Sequence, residues 1–149
     1  MIPERHPGRW RWTGAERPPF AEPPGEGQES VWDYPRPPRV TRDQRRVVVV
    51  AGRTVIADSV RTLRVLETAN PPTFYIPPDD VRMELLRPAR GESTCEWKGK
   101  AEYWTVRTPE GDVAQAAAWI YPRPHSAYET IRGYVAFYPS RVDCYVNEE

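Results

Sequence analysis

The chain contains only two lysines, Lys98 and Lys100, and both fall in the stretch Thr94–Tyr103 beside one of its two cysteines, Cys95; the rest of its 21 basic residues are arginine. A lysine amine becomes chemically useful when it is partly desolvated, and it binds phosphate as a point charge. A cysteine thiol becomes a nucleophile only beside a base or a positive neighbour. If the stretch is a strand, alternation puts Cys95, Trp97, Gly99, Ala101 and Tyr103 on one face and Glu96, Lys98, Lys100 and Glu102 on the other. On that pattern both lysines belong to a solvated charge ladder with Glu96 and Glu102. Gly99 interrupts it, because a glycine within a strand marks a bulge or a close backbone approach. A bulge there would turn Lys98 inward. Lys98 is thus the candidate ligand-facing amine, with surface charge as the competing reading, and Lys100 is expected at the surface. Cys95 reads as a buried thiol, since His125, the only histidine outside the N-terminal segment, is distant in sequence and sits in a proline-rich loop.

Asp58, Arg64, Glu67 and Asp80 are polar residues beside strand or turn boundaries. Carboxylates set with an arginine and a lysine could bind an anionic ligand or hold a metal. Asp79–Asp80 superficially suggests a metal pair, yet adjacent carboxylates rarely reach one ion, and a helix start at Pro77–Asp80 explains them. Two cysteines without CxxC spacing and two histidines, His6 and His125, do not make a four-ligand zinc site. No metal and no cofactor is expected. Neither a GxxxxGK[ST] loop nor a GxGxxG or GxSxG motif occurs. Tyr75, Trp97, Tyr103, Trp104, Trp119, Tyr121, Tyr134 and Tyr138 form a dense aromatic set for this length. Most should serve the core and cross-strand pairs, and some could wall a pocket.

The elements that must position these residues are short strands. Val47–Val50 and Thr54–Ala57 flank Ala51-Gly52-Arg53 as a hairpin. Ser59–Glu67 fits either a helix or a strand, and strand is preferred because Pro71-Pro72 and the strand-like Thr73–Ile76 follow. Pro77–Leu86 reads as a short helix ended by Arg87-Pro88. Trp97–Val106 and Val113–Tyr121 make a second hairpin around Pro109–Asp112. Ser126–Ile131 reads as one helical turn, and Gly133–Tyr138 and Val142–Val146 as two closing strands. About eight strands and one short helix predict a mainly β domain, barrel- or sandwich-like.

Composition sets the frame. Half of the 18 prolines lie in residues 1–38, together with Trp10, Trp12 and Trp32. That segment is expected to be an extended Pro-rich arm whose aromatics anchor it on the domain or on a second subunit, and residues 39–149 a single mostly β domain. The balance of 21 basic against 21 acidic residues argues against a nucleic-acid partner. With no apolar run long enough to span a bilayer and no signal core, a cytoplasmic protein without membrane contact is expected.

The landmarks also run in a familiar order. Ala57-Asp58-Ser59, Leu66-Glu67-Thr68 with Pro71-Pro72, Tyr75-Ile76-Pro77, Asp80–Met83, Cys95–Gly99 with Ala101 and Tyr103, Ala118–Pro122 and Tyr134–Tyr138 resemble the bacterial domain-of-unknown-function family 427 over residues ~40–147. The resemblance implies an all-β fold akin to the β-tent group. It also carries a nucleotidyltransferase-like label, although the Gly-Ser start and spaced Asp pair of such enzymes are missing, as are the paired zinc cysteines of β-tent proteins. It implies that Asp58, Glu67, Tyr75, Asp80, Cys95, Lys98, Gly99, Tyr103, Trp119 and Tyr121 occupy characteristic positions, which strengthens the inward reading of Lys98. The expected function is binding of a small anionic ligand, with Lys98 and Arg64 holding charge, Glu67 and Asp80 orienting them, and Tyr75, Tyr103, Trp119 and Tyr121 as walls. A transferase-type enzyme in the same pocket, with Lys98 or Cys95 as nucleophile, is the second reading. A structural module that dimerises through its arm and strand edges is the third.

Overall fold

The computed structural model describes residues 12–147. Its contacts divide the chain into two units, one of Met1–Thr41 with Val65–Thr73 and one of Arg42–Arg64 with Phe74–Glu149. The strands, in chain order, are β1 (Arg39–Asp43), β2 (Val47–Ala51), β3 (Thr54–Ser59), β4 (Thr62–Leu66), β5 (Thr73–Tyr75), β6 (Leu86–Cys95), β7 (Gly99–Arg107), β8 (Val113–Ile120), β9 (Val135–Phe137) and β10 (Asp143–Val146). They form three antiparallel sheets in the orders β1-β4-β5, β10-β2-β3 and β6-β7-β8-β9. The mainly β class is as the sequence indicates, but among the described residues no sheet closes into a barrel.

In the first unit, proline-rich chain cannot supply the regular backbone donors of a ladder, and side chains take over. Ser30 caps the short 3-10 turn Val31–Asp33, its Oγ accepting from the Trp32 N–H at 3.3 Å. Phe20 and Trp12 stand edge-on to Trp32 at 5.4 and 6.4 Å between ring centres. Arg17 forks onto the Asp33 carboxylate at 2.9 and 2.7 Å. The buried Thr68 hydroxyl donates to the Tyr34 carbonyl.

The second unit is built on the β2–β3 and β7–β8 hairpins. Val47, Val49 and Ala51 alternate inward from β2 and meet Ile56 and Ala57 from β3. Val106, Ala117, Ala118 and Ile120 of the larger sheet join them, with Ile76 and Val135, in one apolar core. Each buried valine or isoleucine among them contributes roughly 1.5–3 kcal/mol on burial.

One expectation needs correction. The helix expected over Pro77–Leu86 is instead a pair of 3-10 turns, Pro78–Asp80 and Met83–Leu85. The intervening Val81 bridges Ala57, and the Arg82 N–H donates to the Ile56 carbonyl at 2.8 Å, so tertiary pairing breaks the helix. The structure also holds β6, a ten-residue strand, most of it in a stretch to which the sequence assigns no element. As the outer strand of its sheet β6 tolerates a proline, and its register shifts between Pro88 and Glu92 around Gly91 at φ +91°. Among the described residues no helix is long and apolar enough to cross a membrane.

Candidate functional site

Cys95 ends β6, Gly99 opens β7, and the two face each other in the ladder, so Glu96, Trp97 and Lys98 form the turn between the strands rather than part of one strand. The alternation read from the sequence therefore fails at this point. The turn, not a bulge, directs Lys98 inward. Lys98 is only 8% exposed.

Three contacts fix the turn. The Lys98 N–H donates to Cys95 Sγ at 3.4 Å. The His125 N–H donates to the Lys98 carbonyl at 2.8 Å, and His125 Nδ1 lies 3.0 Å from the Trp97 carbonyl. A carbonyl can only accept, so Nδ1 carries the proton in that contact. Gly99 has φ +111°, and a Cβ there would stand 3.4 Å from the His125 ring. Glycine is required by the backbone more than by space. Distance along the chain and a proline-rich loop argue against His125 in the sequence, yet the structure brings that loop onto the Lys98 turn.

The amine of Lys98 sits 6.0 Å from the centre of the Tyr121 ring. Tyr121 in turn neighbours Tyr75, whose hydroxyl accepts from Trp119 Nε1 at 3.1 Å while the two rings meet edge-to-face. Trp119 lies opposite Tyr103 across β7 and β8. Tyr138 completes the group, 4.4 Å from Trp119 and stacked on Tyr103 at 6.5 Å. Tyr103 donates to Ser93 at 2.7 Å. Burial raises the Tyr121 hydroxyl well above the usual phenol range, and neighbouring Tyr75 adds to the shift. Burial together with a hydrogen bond to Tyr103 raises Tyr138 to about 12. At neutral pH both are uncharged hydroxyls. Tyr75 and Tyr121 are buried, whereas Tyr103, Trp119 and Tyr138 remain partly open.

The other expected site residues lie elsewhere in the fold. Arg64 is 3.7 Å from Asp43, whose carboxylate also accepts from Arg45 at 2.7 Å and is held below the ordinary range chiefly by that bond. Asp80 accepts from Arg61 at 2.9 Å through both oxygens and from Ser59 at 2.7 Å, and Arg61 lowers its pKa. Asp43, Arg61 and Thr62 line a cleft of about 430 Å³ with Leu63 and Tyr134. Glu67 belongs to the first unit. Asp58 pairs with Arg46 at 2.8 Å on the surface, and Lys100 with Glu92 at 3.5 Å. Trp104 packs against the core. Cys95 is half-buried, and burial pushes the Cys144 thiol up to about 11.

The second unit thus gathers Lys98, Tyr75, Tyr103, Trp119 and Tyr121, adds Tyr138, and gives Arg64 and Asp80 carboxylate and arginine partners of their own. Among the described residues no carboxylate lies within ion-pair distance of the Lys98 amine, and no three His, Cys, Asp or Glu side chains group as metal ligands. No curated protein matches the chain. A family model described as "Domain of unknown function (DUF427)" and labelled NTP_transf_9 matches residues 39–148, which include the Cys95–Gly99 turn, both hairpins and all six aromatic and lysine side chains of the cluster. On that match, the chain belongs to the DUF427 family.

Proposed function

We propose that the protein binds a small anionic ligand through Lys98, with Tyr75, Tyr103, Trp119, Tyr121 and Tyr138 as its walls. The observation that carries this reading is the state of Lys98: a cation 8% exposed, with no carboxylate within ion-pair distance among the described residues. Burying an ammonium costs several kcal/mol unless a partner compensates it. One aromatic face at 6.0 Å offsets only about 1 kcal/mol of this. A bound anion would supply the missing countercharge.

Two features support the same reading. The neutral hydroxyl of Tyr121, whose ring lies nearest the amine, can donate a hydrogen bond to an anion without repelling it. The turn is held by its own backbone through His125, so the amine is positioned before a ligand arrives. Arg64 and Asp80, matched within their own ion pairs, take no part in this proposal.

Thermal-shift titration with acetate, inorganic phosphate, sugar phosphates and nucleotides tests it. At least one anion should raise the melting temperature of the wild type, and Lys98→Met should abolish the rise. The absence of a shift with every anion, or a shift unchanged in Lys98→Met, overturns it.

A further inference from the structure

Between the β7–β8 turn and the aromatic cluster the ladder changes step. Val106 faces Ala114, yet the next pair is Trp104 with Ala118, two residues along β7 against four along β8. Thr105 therefore stands alone opposite Gln115, Ala116 and Ala117, and β8 carries a bulge of two extra residues. Ala116 within it has φ +47°, a left-handed backbone that a residue with a Cβ adopts only under local constraint. Bulges of this kind re-aim side chains.

The bulge decides which residues meet across the ladder. If β8 kept the step set by Arg107 with Val113 and Val106 with Ala114, Tyr103 would face Ala117 and Trp119 would face Ala101. A slip of one residue would turn the strand inside out, but this slip is of two and leaves every side chain on its present face. The hydrophobic pattern accepts both registers, so hydrogen bonds must choose between them. The hydroxyl of buried Thr105 accepts from the Ala116 N–H at 3.1 Å. The Tyr138 N–H donates to the Ala117 carbonyl at 2.8 Å, and Arg141 Nη1 to the Gln115 carbonyl at 3.0 Å. The Tyr138 bond continues the pairing of β9 with β8 and would travel with β8 in a slip, keeping Tyr138 on Trp119 at 4.4 Å. The Thr105 bond is different, because it joins the bulge to the opposing strand β7. It is the bond that a slip must break.

We propose that Thr105 is a positioning residue of the site: its hydroxyl holds the β8 bulge, and the bulge sets Trp119 and Tyr138 against Tyr103. Its bearing on ligand binding rests on the reading above, in which these rings are walls.

The near-UV circular dichroism of Trp119 tests it, taken as the difference between each protein and the same protein carrying Trp119→Phe. Thr105→Val keeps the volume, removes the acceptor and should lose most of that difference, whereas Thr105→Ser should keep it. Val49→Ala, which opens a cavity in the core at β2, is the stability control and should also keep it. In parallel, the apparent affinity for whichever of acetate, inorganic phosphate, sugar phosphates and nucleotides shifts the wild type should fall roughly three- to tenfold in Thr105→Val, the worth of one aromatic wall, and return in Thr105→Ser. An unchanged Trp119 signal in Thr105→Val overturns the proposal. An equal loss in Val49→Ala also overturns it, because the effect is then one of stability alone. A lost signal with unchanged affinity removes Thr105 from the site. If no anion shifts the wild type, the ligand reading falls, and the Trp119 signal still decides whether Thr105 sets the register. Should Thr105→Val not fold, Arg141→Met at its exposed position takes its place: a reduced Trp119 signal supports the bulge as the device that seats Trp119, and an unchanged one overturns it.

Discussion

The second unit sequesters positive charge in two places and treats it in opposite ways. Around Arg64, 15% exposed, the fold supplies Asp43, itself 9% exposed, and lets the same carboxylate hold Arg45 as well. Around Lys98, 8% exposed, it supplies backbone bonds, tyrosines and no carboxylate among the described residues. The arginine site has a carboxylate at hand, shared between two guanidiniums, and its geometry explains itself as architecture. The lysine site is incomplete, and a fold does not maintain an uncompensated cation for its own stability. Proximity of basic residues in sequence therefore says less about ligand binding than whether each has already been neutralised.

The largest test of this contrast is Asp43→Ala, which strands Arg64 and should lower unfolding free energy by about 3 kcal/mol, measured by urea denaturation. A loss below about 1 kcal/mol would mean that the arginine site is no more complete than the lysine site. Next is Gly99→Ala. An alanine forced to φ +111° should cost about 2 kcal/mol and loosen the turn that aims Lys98, seen both in denaturation and in weaker ligand shifts. Smaller and opposite in sign is Lys98→Met. Removing the uncompensated charge should stabilise the ligand-free protein by about 1 kcal/mol while abolishing anion-dependent shifts. A destabilised Lys98→Met would make the lysine structural and erase the distinction.

The smallest effect is in pH dependence. The folded pKa of Asp43 is depressed, first by its hydrogen bonds from Arg45, so its contribution is present above the unfolded value near 3.8 and is lost as pH falls through the lower folded value. Asp43→Asn should flatten part of the acid limb of stability, followed by denaturation midpoints between about pH 6 and 2.5. Lys98→Met should leave that limb unchanged.

The sequence carried much of this arrangement where the signals were local. Val47–Val50 and Thr54–Ala57 announced their hairpin through β-branched residues around Gly52, and β2 and β3 lie there. Gly99 announced an unusual backbone and proved to have one. Signals that depend on distant partners were not legible. The Pro78–Asp80 acids resemble a helix start, and only the pairing of Val81 with Ala57 stops the helix. Arg64 and Asp80 look like free ligand groups until Asp43 and Arg61 are seen to occupy them. His125 reaches the Lys98 turn because the β7–β8 hairpin returns the chain to that end of the sheet, a relation that spacing along the chain conceals.

The pairing of β10 with β2 has a consequence for how the chain is made. Val146 sits opposite Val47, and Asp143 opposite Val50. During synthesis the four valines of β2 emerge well before β10, and their outer edge stays open until that strand follows. Non-local pairing of this kind slows folding, and an uncovered β-branched edge is a template for association with other nascent chains. Completion of the sheet therefore awaits the synthesis of β10. Dilution or a holding chaperone in that interval should improve recovery more than any change near Lys98.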